Sequence, residues 1–567
     1  MSIVAAITDR AGGPGTLTVP GNGSRPQLLS WARLHRQARR MATVLASTGT
    51  GPGTRVGLLG EPSTELVAAL QAVWLAGASV TVLPPPPRRA GPAALRPVLA
   101  DAGIALVVAA DPGGAAGALA PARVLPLAEL AGRARSAAAL PVRYPAPDEL
   151  AVLQYTSGST RSPRGVPVTH GQLAAQLAAL RQALHPELQQ PRPMLSWLPL
   201  YHDLGLVGFL AFPMSAGHPL VLQSPAGFAL RPASWLVGLS RHRIVVTGAP
   251  DFAYRLVTPL LEAGLEIDLS AVRLMLSGGE PISTAGMARF LAAAARYGLD
   301  PGAVVPAYGL AEATLAVTCA APGTGLTTDP VDPDRLERDG RAVPARAGGP
   351  VRTLARLGRP VPGTRLRIVD RATRAPVPER TVGEVEVQGP SVTGRYWPAP
   401  PAPPGSWLRT GDLGYLAERD LVLCGRAKDV LFAAGRNLYP TDLEAAAGQV
   451  PGVRPGGAVA FGVPGEHGDR LVVAVEARPA DQSAIGRAVT LAVTGEAGIR
   501  PAEVIALPPG RLPRTTSGKL RRAEARRRYL AGELTPPSVP KGTRDDHSHR
   551  HHSGPVGAAP AGARGAA

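Results

Sequence analysis

The 567-residue chain has little cysteine: two residues, Cys319 and Cys424. Two thiols cannot form a disulfide framework, so a reducing, cytoplasmic setting is the expectation. No Cys/His cluster has zinc-site spacing. Aromatic residues make up only 4%, and no basic groove interleaved with aromatics is visible, which argues against nucleic acid as partner. Long apolar runs are missing too. The longest, residues 66–83, contains Gln71 and Gly77 and reads as a helix followed by a strand, not a membrane span. MSIVAAITDRAGGPG lacks the charged-then-apolar order of a secretory signal. Acidic residues are the scarcer charge, 42 against 60 basic, for a net +18. Residues 511–567 alone hold 12 Lys and Arg against 4 Asp and Glu. The excess is therefore partly a basic tail. A docking face for an acidic protein partner is the functional alternative to a merely solvated basic surface.

What is present suits a globular α/β protein. Hydrophobic residues are 45% and charged residues 18%. The length calls for at least two domains. With 66 glycines and 61 prolines, a single Gly or Pro carries little positional weight. Residues 1–50 read as a small β start and a helix over 30–48, where Trp31, Leu34, Ala38, Met41 and Leu45 recur at helical spacing. Strand 55–60, helix 64–78 and strand 79–85 form a β-α-β unit, and the rhythm continues through 105–110 and 123–127. A helix is expected over 171–184. Apolar runs at 194–200, 243–250 and 272–281 end in turns, as buried parallel strands do at a ligand-facing edge. Residues 320–357 lose periodicity and read as a long insertion or mobile loop. Segments 364–370 and 383–389 alternate as half-buried antiparallel strands. A boundary falls at 421–429, and a smaller α+β unit follows. Beyond about 535 the Pro/Gly/Ala/His-rich tail is expected to be disordered.

Residues 153–170, LQYTSGSTRSPRGVPVTH, run from a β-prone segment into six small or hydroxylated residues and two arginines. Backbone N–H groups, hydroxyls and guanidinium forks gathered at one point make a nest for a polyphosphate. The stretch is not a Walker A loop, since no Gly-Lys-Ser/Thr follows at the required spacing. Taken alone, it reads first as an ordinary polar loop between two elements.

Six further segments occur in order after it: WLPLYHDLGL (197–206), LSGGEP (276–281), YGLAEAT (308–314), RTGDLGY (409–415), GRAKD (425–429) and LPRTTSGKLRR (512–522). The set resembles the adenylate-forming superfamily of acyl-CoA ligases, luciferases and peptide-synthetase adenylation domains, over about residues 30–530. Within it the chain looks most like the fatty acyl-AMP ligases. Arg161 and Arg164 stand where the wider superfamily usually has Gly and Lys. WLPLYHDLGLVG and YGLAEATLAV match that branch, and 45 residues lie between Glu312 and Gly358. That surplus sits where these ligases carry an insertion thought to disfavour CoA.

The resemblance implies a fold and a set of roles. A large N-terminal domain of α/β layers, residues 1–427 with the insertion at about 320–357, would precede a small mobile domain at 428–530 and a tail at 531–567. Thr156, Ser157, Gly158, Ser159, Thr160 and Arg164 would hold the β- and γ-phosphates of ATP. Glu312 would hold Mg²⁺, a hard cation that prefers oxygen. Asp412 would accept both ribose hydroxyls, with Arg426 supporting it. Gly279, Glu280, Pro281, Tyr308 and Gly309 would line the adenine. Lys519 would bridge carboxylate and α-phosphate, where a positive point charge stabilises the transition state. His202, beside Asp203, would either steer the substrate carboxylate or pack in the core. Lys428 would be the hinge. For the acyl chain the apolar candidates are Trp197, Leu198, Phe209, Phe212 and Phe228, which could as well be plain core.

These roles imply activation of a fatty acid by ATP and Mg²⁺, then transfer to the phosphopantetheine thiol of an acyl carrier protein or synthase carrier domain. No serine site of carrier type occurs in this chain, so the carrier is expected in trans. A fatty acyl-CoA ligase and a stand-alone amino-acid adenylation enzyme are the alternatives. In the latter an Asp holds the substrate amine, and Asp251 is placed to do so. A catalytically dead binder is a further alternative, against which Glu312, Asp412 and Lys519 all speak.

Overall fold

The computed structural model describes residues 2–21, 26–86, 91–113, 115–156, 163–185, 187–403, 405–433, 436–465, 468–478, 482–515 and 519–534. The expected phosphate-loop residues Ser157, Gly158, Ser159, Thr160 and Arg161 lie outside them, as does the tail from 535. Leu534, assigned by sequence to the tail, is buried with Phe461 and Leu512.

Two large sheets carry the N-terminal part. In the six-stranded sheet the order is Arg123–Pro126, Leu106–Ala109, Arg55–Leu59, Ser79–Val82, Leu150–Thr156 and Arg164–Thr169. All pairings are parallel except the last, a hairpin placing Thr156 opposite Arg164. The nine-stranded sheet has a parallel centre that includes Met194–Ser196, Val246–Ala249, Leu274–Ser277 and Val304–Gly309, with antiparallel edges. Helix Thr64–Leu75 is buried at every residue but Glu65, and Trp74 Nε1 donates to Ala151 O at 2.9 Å. With helix Trp31–Ala46 it joins both sheets in one hydrophobic core. Parallel strands covered on both faces must be apolar throughout, which is why they read as continuous hydrophobic runs.

A four-stranded antiparallel sheet follows, Arg365–Val369, Gly383–Gln388, Leu408–Ala417 and Asp420–Arg426. The C-terminal unit has its own three-stranded sheet, Val453–Gly465, Gly468–Ala477 and Glu503–Leu507. Helices Pro440–Gly448 and Gln482–Ala497 cover one of its faces over a separate core containing Leu443, Val473 and Val489. Among the described residues no helix is long and apolar enough to cross a membrane.

Three sequence expectations need correction. A helix, Ile3–Arg10, precedes the first strand; the Ser2 hydroxyl caps it by accepting from Ala5 N, and Ile3, Val4 and Ile7 are buried. The strand expected over 194–200 ends at Ser196, and after Tyr201-His202-Asp203 the chain enters a π-helical stretch, Leu204–Ala211. Such wide turns are rare and favour functional sites. Finally, 320–357 is not a structureless loop. It forms a two-stranded sheet, Thr328–Val331 with Arg352–Ala355, and a helix, Pro333–Asp339, capped by Asp332. Buried Asp329 orders it by receiving Arg356 at 3.4 Å, Arg380 at 2.9 Å and the Tyr415 hydroxyl at 2.7 Å. Partners so distant in sequence leave no periodic trace.

Candidate active site

The nine-stranded and four-stranded sheets meet at one hydrogen bond. Tyr308, near the end of Val304–Gly309, donates its hydroxyl to Asp412 Oδ2 at 2.7 Å. Asp412 pairs in register with Arg426 across the hairpin, and Arg426 Nε lies 3.0 Å from Asp412 Oδ1. Asp412 N in turn donates to Thr410 Oγ1 at 3.1 Å. Burial, reinforced by the Asp412 carboxylate, pushes the Tyr308 phenol far above its ordinary range. Asp412 raises the Arg426 guanidinium against the opposing effect of burial. The carboxylate is thus flanked by a neutral phenol and a fixed cation, an arrangement suited to accepting hydroxyl hydrogens.

Lys519 arrives from the C-terminal unit. Its Nζ donates to Gly279 O at 2.5 Å. Gly279 has φ +83°, a left-handed conformation that favours glycine and turns its carbonyl toward the lysine. Within its own unit the lysine backbone is clasped: Thr515 N donates to Lys519 O at 2.7 Å, and Lys519 N donates to Thr515 Oγ1 at 3.0 Å. Burial lowers the Lys519 ammonium pKa, and Glu280 and Asp203 partly offset this. Asp203 is itself buried, which would raise it. The His202 charge and hydrogen bond, together with Lys519, bring it below the usual carboxylate value. His202 Nδ1 lies 2.5 Å from Asp203 Oδ1, and the imidazole is 31% exposed, so it rims the site instead of packing in the core.

Glu312 sits on a 3₁₀ turn, Ala311–Ala313. Before it, a side chain at Gly309 would clash with the Leu315 carbonyl, so the turn requires glycine there. The Tyr396 hydroxyl donates to Glu312 Oε1 at 2.5 Å, and the Arg164 guanidinium lies 5.0 Å above the Tyr396 ring. The other Glu312 oxygen has no protein partner among the described residues. One free carboxylate oxygen near Arg164 of the 150–169 hairpin suits Mg²⁺, which takes few protein ligands and completes its shell with phosphates and water. Among the described residues no group of three or more His, Cys, Asp or Glu forms an all-protein metal site.

Sequence reasoning passed over Ser391 to Trp397, which binds this side together. Thr393 N donates to Glu312 O at 2.8 Å and its hydroxyl to Pro167 O at 2.7 Å. Trp397 N donates to Gly165 O at 2.8 Å and its indole to Asp101 O at 2.9 Å. An adjacent Tyr-Trp pair in a chain with 4% aromatics was the available signal.

Of the acyl candidates, Trp197 stacks on Phe228 with ring centres 3.6 Å apart and meets Phe252 edge-on at 6.1 Å. Phe252 N donates to Glu280 Oε1 at 2.5 Å, so this aromatic cluster adjoins the Gly279–Pro281 turn. Phe209 and Phe212 are buried, and Phe212 stacks instead on His218; Leu198 is buried too. Asp251 is occupied: its Oδ2 lies 2.8 Å from Arg255 Nε and its Oδ1 accepts from Ser283 N at 3.0 Å. Burial pushes it up to about 6.

Lys428 lies between Arg426 and Asp429, where Asp429 pairs with Arg522 of the C-terminal unit at 2.6 Å. The 328–355 segment touches that unit too. Buried Arg352 pairs with Asp442 at 2.9 Å and lies 4.3 Å over the Tyr439 ring. Arg436 lies 3.2 Å from Glu337, and Asn437 donates to Glu337 O at 3.2 Å.

Comparison with known proteins places this arrangement. Residues 13–397 match the family model described as AMP-binding enzyme. A long-chain-fatty-acid–AMP ligase, FadD26 of Mycobacterium marinum, is 39% identical over 415 residues, 67% of this chain and 69% of its own. A 4-hydroxyphenylalkanoate adenylyltransferase of Mycobacterium tuberculosis is 32% identical over 549 residues, covering 90% of this chain and 87% of its own. Among solved structures, one from a study of fatty acyl-adenylate ligases of E. coli and L. pneumophila superposes with a TM-score of 0.85 at 32% identity, over 94% of this chain and 98% of the other.

Proposed function

The chain belongs to the AMP-binding enzymes, in their fatty acyl-AMP ligase branch, and on that premise we propose that it condenses a fatty acid with ATP and passes the acyl group to a carrier-protein thiol. A carboxylate oxygen of the acid attacks the α-phosphorus, the bond to the β-phosphate oxygen breaks, and pyrophosphate leaves. The thiol then loses its proton to solvent, and its sulfur bonds to the acyl carbon as the bond to the AMP oxygen breaks and AMP departs. An anion attacking an anion needs positioning and charge neutralisation more than acid–base chemistry.

The observation that carries this reading is Lys519 Nζ on Gly279 O, in the same neighbourhood as Asp203, Glu280 and Arg426. A cation contributed by the second unit stands between the nucleotide side and the acyl side. Asp412 takes the ribose hydroxyls, held by Tyr308 and Arg426. Arg164, with the 156–160 loop, takes the terminal phosphates. Glu312 would hold Mg²⁺, whose charge neutralises the phosphate oxygens. His202, hydrogen-bonded to Asp203, faces the substrate carboxylate. Trp197, Phe228 and Phe252 border the acyl chain. Domains 1–427 and 428–530 turn about Lys428 between the two half-reactions.

Two features favour this over the alternatives. The 328–355 segment holds the C-terminal unit through Arg352–Asp442 and Glu337–Arg436, so the turn to the second half-reaction is left to be drawn by a docking carrier protein, which free CoA does not supply. Asp251 is spent on Arg255 and Ser283, so it is not free for a substrate amine. The test is mass spectrometry of products from fatty acids of graded length, with CoA and holo-carrier protein in competition. Acyl-carrier product with little acyl-CoA is expected. Efficient acyl-CoA formation would sink the carrier assignment, and pyrophosphate exchange with amino acids alone would sink the fatty-acid one.

A further inference from the structure

Positive charge is also concentrated beside the Asp412–Arg426 pair. Arg371, Glu384, Arg409, Gly411, Arg426 and Lys428 contribute to the wall of a cavity of about 280 Å³. Its charges do not cancel. Glu384 is buried and already shared, accepting from Arg409 at 2.8 Å and from Arg374 at 2.5 Å. Arg426 is matched by Asp412. Arg371 and Lys428 have no ion pair among the described residues. Burial and the neighbouring Arg426 push the Lys428 ammonium below its ordinary value, and Arg164 adds to this. Asp429 and Asp412 partly offset these effects. Gly411, at φ +73° with open space beside it, leaves the rim bare backbone.

We propose that this cavity is a second anion site, which takes a phosphate group in transit past the nucleotide site. The group has two possible sources: pyrophosphate leaving after the first half-reaction, or the phosphodiester of a pantetheine arm approaching for the second. The identity of the source rests on the ligase reading; the binding of the anion does not. Concave clusters of arginine and lysine concentrate phosphate by charge and by forked hydrogen bonds.

The test uses the full chain saturated with α,β-methylene-ATP, so that the nucleotide site is filled. Inorganic pyrophosphate and 4′-phosphopantetheine are titrated in separate calorimetric arms. Binding is expected to persist with the analogue present, to weaken about tenfold in Arg371→Glu, one charge-assisted contact's worth, and to recover in Arg371→Lys. Binding of pyrophosphate alone identifies the leaving product, and binding of phosphopantetheine alone the incoming arm. No binding of either anion to the saturated wild type, or equal binding by Arg371→Glu, overturns the site. Should the analogue itself fail to bind, the ligase reading fails, while the effect of Arg371→Glu on pyrophosphate affinity still decides the cavity.

Discussion

Asp412 and Lys519, assigned to one reaction centre in the proposed function, are held in opposite ways. Asp412 is built in. It lies on a strand, faces Arg426 in register, and takes a hydroxyl from a second sheet. Lys519 is a visitor. Its backbone is clasped by Thr515 within the C-terminal unit, and one hydrogen bond, to Gly279 O, ties its ammonium to the larger unit. The first is positioned by folding and the second by docking. Each should therefore respond differently to damage.

Lys519→Ala tests the visitor. Adenylate formation, followed by pyrophosphate exchange, should fall by roughly 10²–10³-fold, as removal of a preorganised transition-state charge does. The melting temperature should hold, since one inter-unit hydrogen bond is lost. An unchanged rate would remove the assigned role, and a marked drop in melting temperature would erase the contrast with Asp412. The sign of its pH dependence follows from burial. The ammonium is charged below its folded-state pKa, which lies under the ordinary lysine value. Activity should thus decline on an alkaline limb that begins earlier than an exposed lysine would give. Lys519→Arg should move that limb upward.

Asp412→Ala tests the built-in group. It should weaken ATP use by about one to two orders of magnitude, and it should also destabilise the fold by about 1–3 kcal/mol, because Arg426 and Tyr308 lose their partner. Activity loss without any loss of stability would make the two residues alike.

Arg352→Met asks how firmly the visitor's unit is held. Asp442 would be left half-buried without its cation, and about 1–3 kcal/mol of stability should go with it. In the competition assay acyl-CoA should rise a few-fold relative to acyl-carrier, because the turn would no longer depend on carrier docking. An unchanged product ratio would separate the insertion from acceptor choice.

Glu337→Gln should have the smallest effect. Burial, opposed by Arg436, pushes Glu337 up to about 7. A carboxyl whose folded pKa exceeds its unfolded one takes a proton more readily when folded. Stability should rise as pH falls from about 7 toward the ordinary carboxylate range and decline as pH rises through 7. The side chain is only partly screened from solvent, so the swing should be no more than about 1 kcal/mol. It should vanish in the variant, as read from melting curves at pH 5 and pH 8.

The same contrast governs what could be read from sequence. Motifs located Asp412, Arg426 and Lys519 because their neighbours are consecutive in the chain, and the structure brings all three together. Buried parallel strands such as Leu106–Ala109 and Leu274–Ser277 announced themselves as unbroken apolar runs. What stayed hidden depends on partners far away. Asp329 orders the insertion through Arg356, Arg380 and Tyr415, and Arg352 finds Asp442 ninety residues on. The helix Ile3–Arg10 is too short to show a period, and the π-helical turn after Asp203 has no compositional mark. Tyr396 gained its meaning only from Glu312, eighty-four residues earlier.

The segment from Ser391 to Trp397 sets a rule for grafting. It belongs to no strand, yet Thr314 donates to Ser391 O at 2.6 Å and Gln172 to Val392 O at 3.2 Å, beside the bonds of Thr393, Tyr396 and Trp397. Exchanging the four-stranded sheet, residues 365–426, for a homologous module would carry this segment along and set a foreign sequence against host residues Asp101, Gly165, Pro167, Gln172, Glu312 and Thr314. A chimera that keeps the native 391–397 should preserve the carboxylate of Glu312 in place. One that replaces it would carry over the proposed ribose site and lose the proposed phosphate site it was meant to face.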